Sequence, residues 1–370
     1  MGSANVAGAH IEIKDGVSNV LASVSSDITV LPDVAHADFE REAEKALAAT
    51  LDQLSRGRFP APERVDVYFS SPWYAAQTRV AKVSRPTPFV VSRAFVDDMV
   101  SRELAAFESE VIAQSHEAGQ PLRAIESKIV QAKLNGYATV EPIGLSAREL
   151  EFSIFLSVAP ERNLVRFEEM IRRTYDKKVS FATFAAASFQ VLRDVFPHQD
   201  DYLHIDVGGE ITDVSLVRES VLLRSVSFPK GRNFILRMLS EKLSRSIPES
   251  LALCTLYVEG KVEESVRDAC TSVLTLAKNQ WLDAFQRAIF ASTNELSIPN
   301  TILISVSSDI APWFLETMRR EEFHQHSVAE REFKVVVLEA ELFHERLSFG
   351  TDVPRDPFIM IDTLSSARSL

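Results

Sequence analysis

The chain has 370 residues, of which 46% are hydrophobic and 25% charged, with a formal net charge of −12. That length exceeds what one core ordinarily organises, so two or more lobes are expected. The acidic balance argues against nucleic acid as a partner and leaves no basic stripe for a membrane surface. No apolar run approaches the roughly 20 residues that a membrane span needs. The start, "MGSANVAGAH", has no basic region followed by an apolar one, so no secretory leader is expected. Cys254 and Cys270 sit in helix-like text. They point to a reducing cytosol, and no disulfide between them is expected. Glycine is scarce: 12 residues, about 3% against a usual ~7%. Gly208-Gly209 is the sole adjacent pair, so at most one glycine-rich phosphate loop can be well formed.

In chain order, residues 8–31 alternate and break at "KDG" (Lys14 to Gly16), a hairpin signal. Phe39, Ala43, Leu47, Leu51 and Leu54 repeat at helical spacing, with Asp38 as the expected N-cap. "RVDVYFSSPWY" reads as a strand ending at Pro72. Ser92 caps a helix whose apolar face runs from Phe95 to Val111. "AIESKIVQAKLNGYATV" is a strand pair turning at Asn135-Gly136. In "RELEFSIFLSV", Leu150, Phe152, Ile154, Leu156 and Val158 share one face. Residues 84–158 therefore read as a small α+β module inserted between larger parts. Pro160 opens a helix, and a strand at Val179 to Phe181 and a helix at Ala185 to Val195 follow. Helices dominate Gly231 to Leu296. "NTILISVSSDIAPWFLETM" is a buried strand, a loop and a helix; "FKVVVLEAELF" is a strand; "RDPFIMIDTLSSARSL" is a helix. The order is mixed α/β in two lobes.

The stretch "HIDVGGEITDVSLV" carries the chemistry. A strand delivers Asp206 to a turn where Gly208 and Gly209 permit close backbone approach, with N–H groups for an anion. Thr212 offers a hydroxyl and Asp213 a second carboxylate. A plain hairpin with a Gly-Gly turn fits the same text. The start, with Gly2 and Ser3 leading into a strand, is a weak signal taken alone. His324 and His326 form His-x-His without a third ligand nearby, so a solvated loop is expected there. Trp73 and Tyr74 follow a strand at the junction with the module, as junction packing or as one wall of a groove.

Together these stretches resemble the actin-like ATPase superfamily, whose hairpin loops, one per lobe, read Asp-x-Gly-[Thr/Ser] and Asp-x-Gly-Gly-Gly-Thr-Thr-Asp. Within it the chain is most similar to the type IV pilus assembly protein PilM and the cell division protein FtsA, which carry an inserted α+β module on the first lobe. "NGYATVEPIGLSARELEFSIFLSVAPERNLVRFEEMIRRTY", "FATFAAASFQVLRD" and "SFPKGRNFILRML" look like that family's text. The resemblance implies a two-lobed actin-like (ribonuclease H-like) α/β fold. Its parts would be a first lobe (1–83, 159–202), the inserted module (84–158), a second-lobe core (203–228, 297–370) and a helical outer subdomain (229–296). It implies a cleft for ATP with magnesium at Gly2, Ser3, Asp206, Gly208, Gly209, Thr212, Asp213 and Ser307, with Asp206 on the metal. It also implies a peptide groove beside Trp73 and Tyr74.

The departures matter. The strand and Asp that would precede Gly2 are not in the sequence, Glu210 replaces the third glycine, and Ile211 a threonine. The C-terminal Gly-Gly pair that meets adenosine is replaced at Val306, Ser307 and Ser308. A Cβ where φ must be positive strains a loop. A carboxylate about 4 Å from a phosphate charge costs roughly 4 kcal/mol at an effective dielectric of about 20. Val-Ser in place of Gly-Gly narrows the space beside an adenine, and "APWF" (Ala311 to Phe314) reads as filling that pocket. Weak or absent ATP binding and little hydrolysis are expected. The first reading is a cytoplasmic PilM-like scaffold that binds a peptide of a membrane-anchored pilus protein and is recruited by it to the inner face of the membrane. The second is an FtsA-like division protein that self-associates; the end "SSARSL" lacks the basic amphipathic tail expected of it, so direct membrane insertion is not expected. The third is a working ATPase or small-molecule kinase.

Overall fold

The computed structural model describes the chain except residues 15, 31–35, 58, 115–119, 294–297, 320–332 and 369–370. The His324/His326 pair lies outside the described residues.

β1 (Asn5–Lys14) and β2 (Val17–Asp27) form an antiparallel hairpin turning at Gly16, whose φ of +79° suits glycine. α1 (His36–Ser55) packs Phe39, Ala43, Leu47 and Leu51 into the first-lobe core. It starts at His36, so Asp38 lies in its first turn rather than at its cap, where its charge still favours the helix dipole. β3 (Arg64–Phe69) follows.

The inserted module is an antiparallel sheet of β4 (Ala75–Val90), β5 (Leu122–Leu134), β6 (Tyr137–Thr139) and β7 (Ser146–Pro160), in the order β4-β7-β5-β6. α2 (Arg93–Gln114) covers one face, and the Phe95 N–H bonds the Ser92 hydroxyl at its start. The sheet begins at Ala75, ahead of the boundary at residue 84. Of β4 only Ala81 is buried, so most of that strand is solvated and its text carries no apolar alternation. On β7 the five alternating residues are all buried. The Asn135-Gly136 turn has both residues at positive φ, as a type I′ hairpin requires.

α3 (Glu161–Tyr175) returns the chain to the first lobe. β8 (Lys178–Thr183) pairs in parallel with β3, and α4 (Phe184–Val195) starts on a Thr183 cap. The second lobe is a sheet in the order β11-β10-β9-β12-β13, comprising β9 (Tyr202–Val207), β10 (Thr212–Arg218), β11 (Val221–Phe228), β12 (Thr301–Val306) and β13 (Lys334–Val337). β9 to β11 form an antiparallel meander, while β12 is parallel to both β9 and β13. α5 (Arg232–Leu243), α6 (Ile247–Val258), α7 (Glu264–Thr293) and α8 (Ala311–Arg319) cover it, with Trp281 at the centre of their core. "FKVVVLEAELF" is not one strand: after β13 it bends into a short 3₁₀ turn, Ala340–Phe343. β14 (Leu347–Phe349) then adds to β2, and α9 (Pro357–Arg368) packs on α4. The first lobe thus holds two separate sheets, β1-β2-β14 and β3-β8. Cys254 and Cys270 are buried and unpaired.

Candidate functional site

The loop of interest lies where β9 turns into β10. β9 is buried along its whole length: Leu203, Ile205 and Val207 join the second-lobe core, and Tyr202 joins the core between the lobes. Burial on both faces explains the nearly continuous apolar text ahead of the glycines. Neither Gly208 nor Gly209 is in the left-handed region, and neither is Glu210, which corrects the expectation that its Cβ strains the loop at a positive φ. Space is what demands the two glycines, as the expected close backbone approach requires. A Cβ on Gly209 would stand 2.5 Å from the Ala4 nitrogen and 2.6 Å from the Ser3 carbonyl carbon. On Gly208 it would stand 3.2 Å from the Ser3 hydroxyl.

The two loops, one from each lobe, therefore touch. Ser3 is fully buried, and its hydroxyl accepts the Glu210 N–H at 2.9 Å. The first N–H groups of α5 are taken as well. Gly231 donates to the Glu210 carbonyl (3.1 Å), Arg232 to Gly208 (2.9 Å) and Asn233 to Gly209 (2.7 Å). Helix N-terminal donors of this kind are what an anion would otherwise meet.

Glu210 does not face an incoming phosphate, as its place in the sequence implied. Its carboxylate accepts from Asn233 Nδ2 at 2.8 Å and from both terminal nitrogens of Arg237. The charge is neutralised beside the start of α5, where the helix dipole also favours it. Asn233 and Arg237 were not legible as site residues. Their four-residue spacing places them on one face of a helix, but only the fold brings Glu210 to that face.

Asp206 and Asp213 are buried side by side, at 4% and 9% exposure. Burial, and then the charge of Asp213, raise Asp206 well above the usual carboxylate range. Its Oδ1 has no hydrogen-bond partner. Burial also raises Asp213, against the opposing hydrogen bonds from Ser71 (2.9 Å) and Ser227. Two acids so placed retain a proton that solvated carboxylates would release. Among the described residues no cluster of three His, Cys, Asp or Glu could hold a metal ion. Thr212 does not offer its hydroxyl to the cleft. It donates to the Lys230 carbonyl at 2.8 Å and accepts from the Trp281 indole at 3.3 Å, inside the second lobe.

Ser307 is half-buried at the turn between β12 and α8, where its carbonyl accepts the Ile310 and Ala311 N–H groups. Next to it, Asp309 pairs with Arg232 at 2.6 Å and ties this turn to the start of α5. Trp313 and Phe314 belong to the second-lobe core with Trp281, so "APWF" is core rather than the filling of a pocket. Trp73 is 3% exposed, stacked on Phe39 and edge-on to Phe167. Its indole donates to the Gly2 carbonyl at 2.9 Å, so it holds the first loop and presents no surface to a peptide. Tyr74 is half-buried between the first-lobe cores, and burial raises its phenol well above the ordinary value. The structure thus gathers Ser3, Ala4, Gly208 and Gly209 into one contact, holds Gly2 beside it through Trp73, sets Asp206 and Asp213 behind it, and links Ser307 to it through Asp309 and Arg232.

No protein-family profile matches the sequence, and no curated protein does. Solved structures do resemble it. The PilM-PilN type IV pilus biogenesis complex matches with a TM-score of 0.67 at 10% identity, over 100% of this chain and 96% of that one. A Bacteroides thetaiotaomicron protein with actin-like ATPase fold and unknown function matches with a TM-score of 0.42 at 8% identity, over 94% and 86% of the two chains. MreB 5 of Spiroplasma citri bound to AMPPNP matches with 0.36 at 11%, over 56% and 63%. The last two likenesses are too loose to carry an argument. The first is one of fold, and it takes in both lobes and the inserted module. The chain has the two-lobed actin-like ATPase fold with an inserted α+β module on its first lobe.

Proposed function

We propose that this chain is a PilM-like cytoplasmic scaffold for assembly of a type IV pilus or secretion apparatus, holding a peptide of a membrane-anchored partner, and that its nucleotide cleft has become a structural joint. The observation that carries the reading is the interlock of Ser3 with Gly209 and Glu210, in which the donors a phosphate would use already have protein acceptors. The whole-chain likeness to the PilM-PilN complex supports a peptide as the partner. No described helix is long and apolar enough to cross a membrane, which fits recruitment by a partner.

The test has two parts. Calorimetry on the purified chain with Mg-ATP is expected to show no binding at about 100 μM; micromolar or tighter affinity overturns the structural-joint reading. The N-terminal peptide of the pilus membrane protein encoded beside this chain is expected to bind in the same instrument without nucleotide. Failure to bind it, together with ATP-dependent filaments, would turn the reading to an FtsA-like protein.

A further inference from the structure

The inserted module has a root on the lobes and a tip away from them. At the root Ala75 pairs with Val158 and Leu122 with Pro160. At the tip Val90 pairs with Ser146 and Leu134 with Tyr137. β7, 15 residues long, separates the two ends by about 50 Å. The tip is apolar and uncovered. Val140 is 98% exposed and Tyr137 80%, and Val90, Ile143 and Leu145 are exposed beside them. Single exposed apolar residues need no explanation, but these five are gathered at one end of one module. The loop that carries them is pinned to β4. The Val91 N–H donates to the Leu145 carbonyl at 2.9 Å, and the Val91 carbonyl accepts the Gly144 N–H at 2.8 Å. Gly144 has the positive φ, +86°, that such a bulge places on glycine. The backbone therefore holds these apolar side chains outward.

The same end is basic in an acidic chain. Residues 84–93 and 133–149 carry Arg85, Arg93, Lys133 and Arg148 against two carboxylates, Glu141 and Glu149. The module's ion pairs use other cations: Arg79, Lys82, Arg102, Arg123 and Lys128. Among the described residues none of the four at the tip has a carboxylate partner. Arg85 lies over the Phe89 ring at 4.5 Å. It stands in a bulge, residues 85–88, set across the ladder from Arg148, since Ser84 pairs with Glu149 and Phe89 with Ala147. Arg93 is the first residue of α2, whose first turn has no acid. Lys133 precedes the Asn135-Gly136 turn. No basic stripe shows in the sequence because these cations are spread from position 85 to position 148, and only the sheet gathers them.

We propose that the tip of the inserted module rests on an anionic membrane surface, with Tyr137, Val140 and Ile143 among the headgroups and the four cations on anionic lipid. A gripped peptide does not suit the shape: Val140 has almost none of its own chain around it, so it forms no wall of a groove. A lipid interface yields around such a side chain. Apolar groups settle about 5–10 Å into it, Tyr suits the headgroup level, and Arg and Lys are drawn to anionic lipid. Nucleic acid, the other extended polyanion, offers no apolar phase to Val140 and Ile143. Screening over about 8 Å keeps the acidic lobes, at the far end of β7, from opposing the contact. A few side chains of this kind give reversible binding. The inference stands on the tip and does not need the scaffold role.

The experiment places an environment-sensitive dye on Val140→Cys of the full chain; Cys254 and Cys270 are buried, which leaves the new thiol as the reactive one. With vesicles of about 30 mol% phosphatidylglycerol in phosphatidylcholine, the emission is expected to shift to the blue. The chain is expected to co-sediment with them about tenfold more than with phosphatidylcholine alone, a preference lost near about 1 M salt. The same dye on Leu276→Cys, exposed on α7, is expected not to respond. In the unlabelled chain Val140→Asp is expected to lower co-sedimentation about tenfold, and Arg93→Gln and Arg148→Gln about fivefold each. Tm is expected to stay unchanged in all three, because these side chains are exposed. Equal sedimentation with both vesicles, none with either, or a dye on Val140→Cys that stays in water while the chain sediments overturns the proposal. So does an equal dye response to polyglutamate without vesicles, which assigns the tip to an acidic protein. No nucleotide or partner peptide enters the assay, so its failure leaves the scaffold reading untouched.

Discussion

Gly209→Ala separates two explanations of the same glycine. In a phosphate loop, glycine lets the backbone approach a nucleotide, and an added methyl weakens that ligand while leaving the empty protein alone. Here the methyl would meet the other loop, 2.5 Å from the Ala4 nitrogen and 2.6 Å from the Ser3 carbonyl carbon. Both atoms are backbone, so relief requires the loops of the two lobes to part. Overpacking of this kind costs about 1–3 kcal/mol, and the Ser3–Glu210 hydrogen bond lost with it adds about 1 kcal/mol. The expected loss is about 2–4 kcal/mol of unfolding free energy without any nucleotide, read by urea denaturation. Ser3→Ala is expected to cost about 1–2 kcal/mol, because the Glu210 N–H loses its acceptor. Combined with Gly209→Ala it is expected to add almost nothing, since the contact is already broken. If Gly209→Ala leaves the ligand-free protein within about 0.5 kcal/mol of the parent and instead lowers Mg-ATP affinity, the joint reasoning is refuted.

Other expectations rest on buried groups. His204, on β9, bonds Ser305 across to β12 at 2.9 Å, and burial pushes its imidazole down to about 3. The unfolded chain therefore binds the extra proton below about 6.5, so stability is lost as pH falls from there, by about 2 kcal/mol at pH 5. Relative to the parent, His204→Gln should be less stable at pH 7.5 and recover about that amount by pH 5; a pH-independent gap in urea titrations would contradict this. Asp206 has the opposite sign. Its affinity for a proton is raised in the folded state, so its contribution worsens as pH rises above the ordinary carboxylate value of about 3.9; Asp206→Asn should therefore gain stability over the parent as pH rises from about 4 to neutrality, measured the same way. Trp73→Phe removes the bond to Gly2 and leaves space beside Phe39, an expected cost of about 1–3 kcal/mol in thermal or urea unfolding.

The fold was legible where one local signal decided each element. The Asn135-Gly136 turn, the alternation on β7 and the helical spacing from Phe39 to Leu51 each needed only their own neighbours. β4 was missed because a strand with one buried residue has no apolar period to read. β14 was missed because three residues cannot show a period at all. The site followed the same rule. Asp206, Gly208 and Gly209 stand together in the text, and their chemistry could be named from it. What they do depends on partners far along the chain: Ser3, Asn233 and Arg237 reach them only after folding.

That distance also explains why charge counting misled at Glu210. A carboxylate after two glycines looks like a repulsion when its surroundings are taken to be a phosphate. Given Arg237 and Asn233, it is a paired charge beside the first turn of α5, and that helix has its first donors capped by the carbonyls of Gly208, Gly209 and Glu210 itself. The residues that a repulsion picture sets against a phosphate are instead bonded to one another. The two pictures predict different things for Arg237→Met. Repulsion predicts that freeing Glu210 further weakens nucleotide and leaves the fold intact. Bonding predicts loss of stability, because a largely buried carboxylate, 12% exposed, keeps, among the described residues, only Asn233 as its side-chain partner. Breaking a fully buried pair costs 3–5 kcal/mol, and the partial exposure of this one reduces the expected loss to about 1–3 kcal/mol. A variant as stable as the parent in urea would return Glu210 to the role of a misplaced charge.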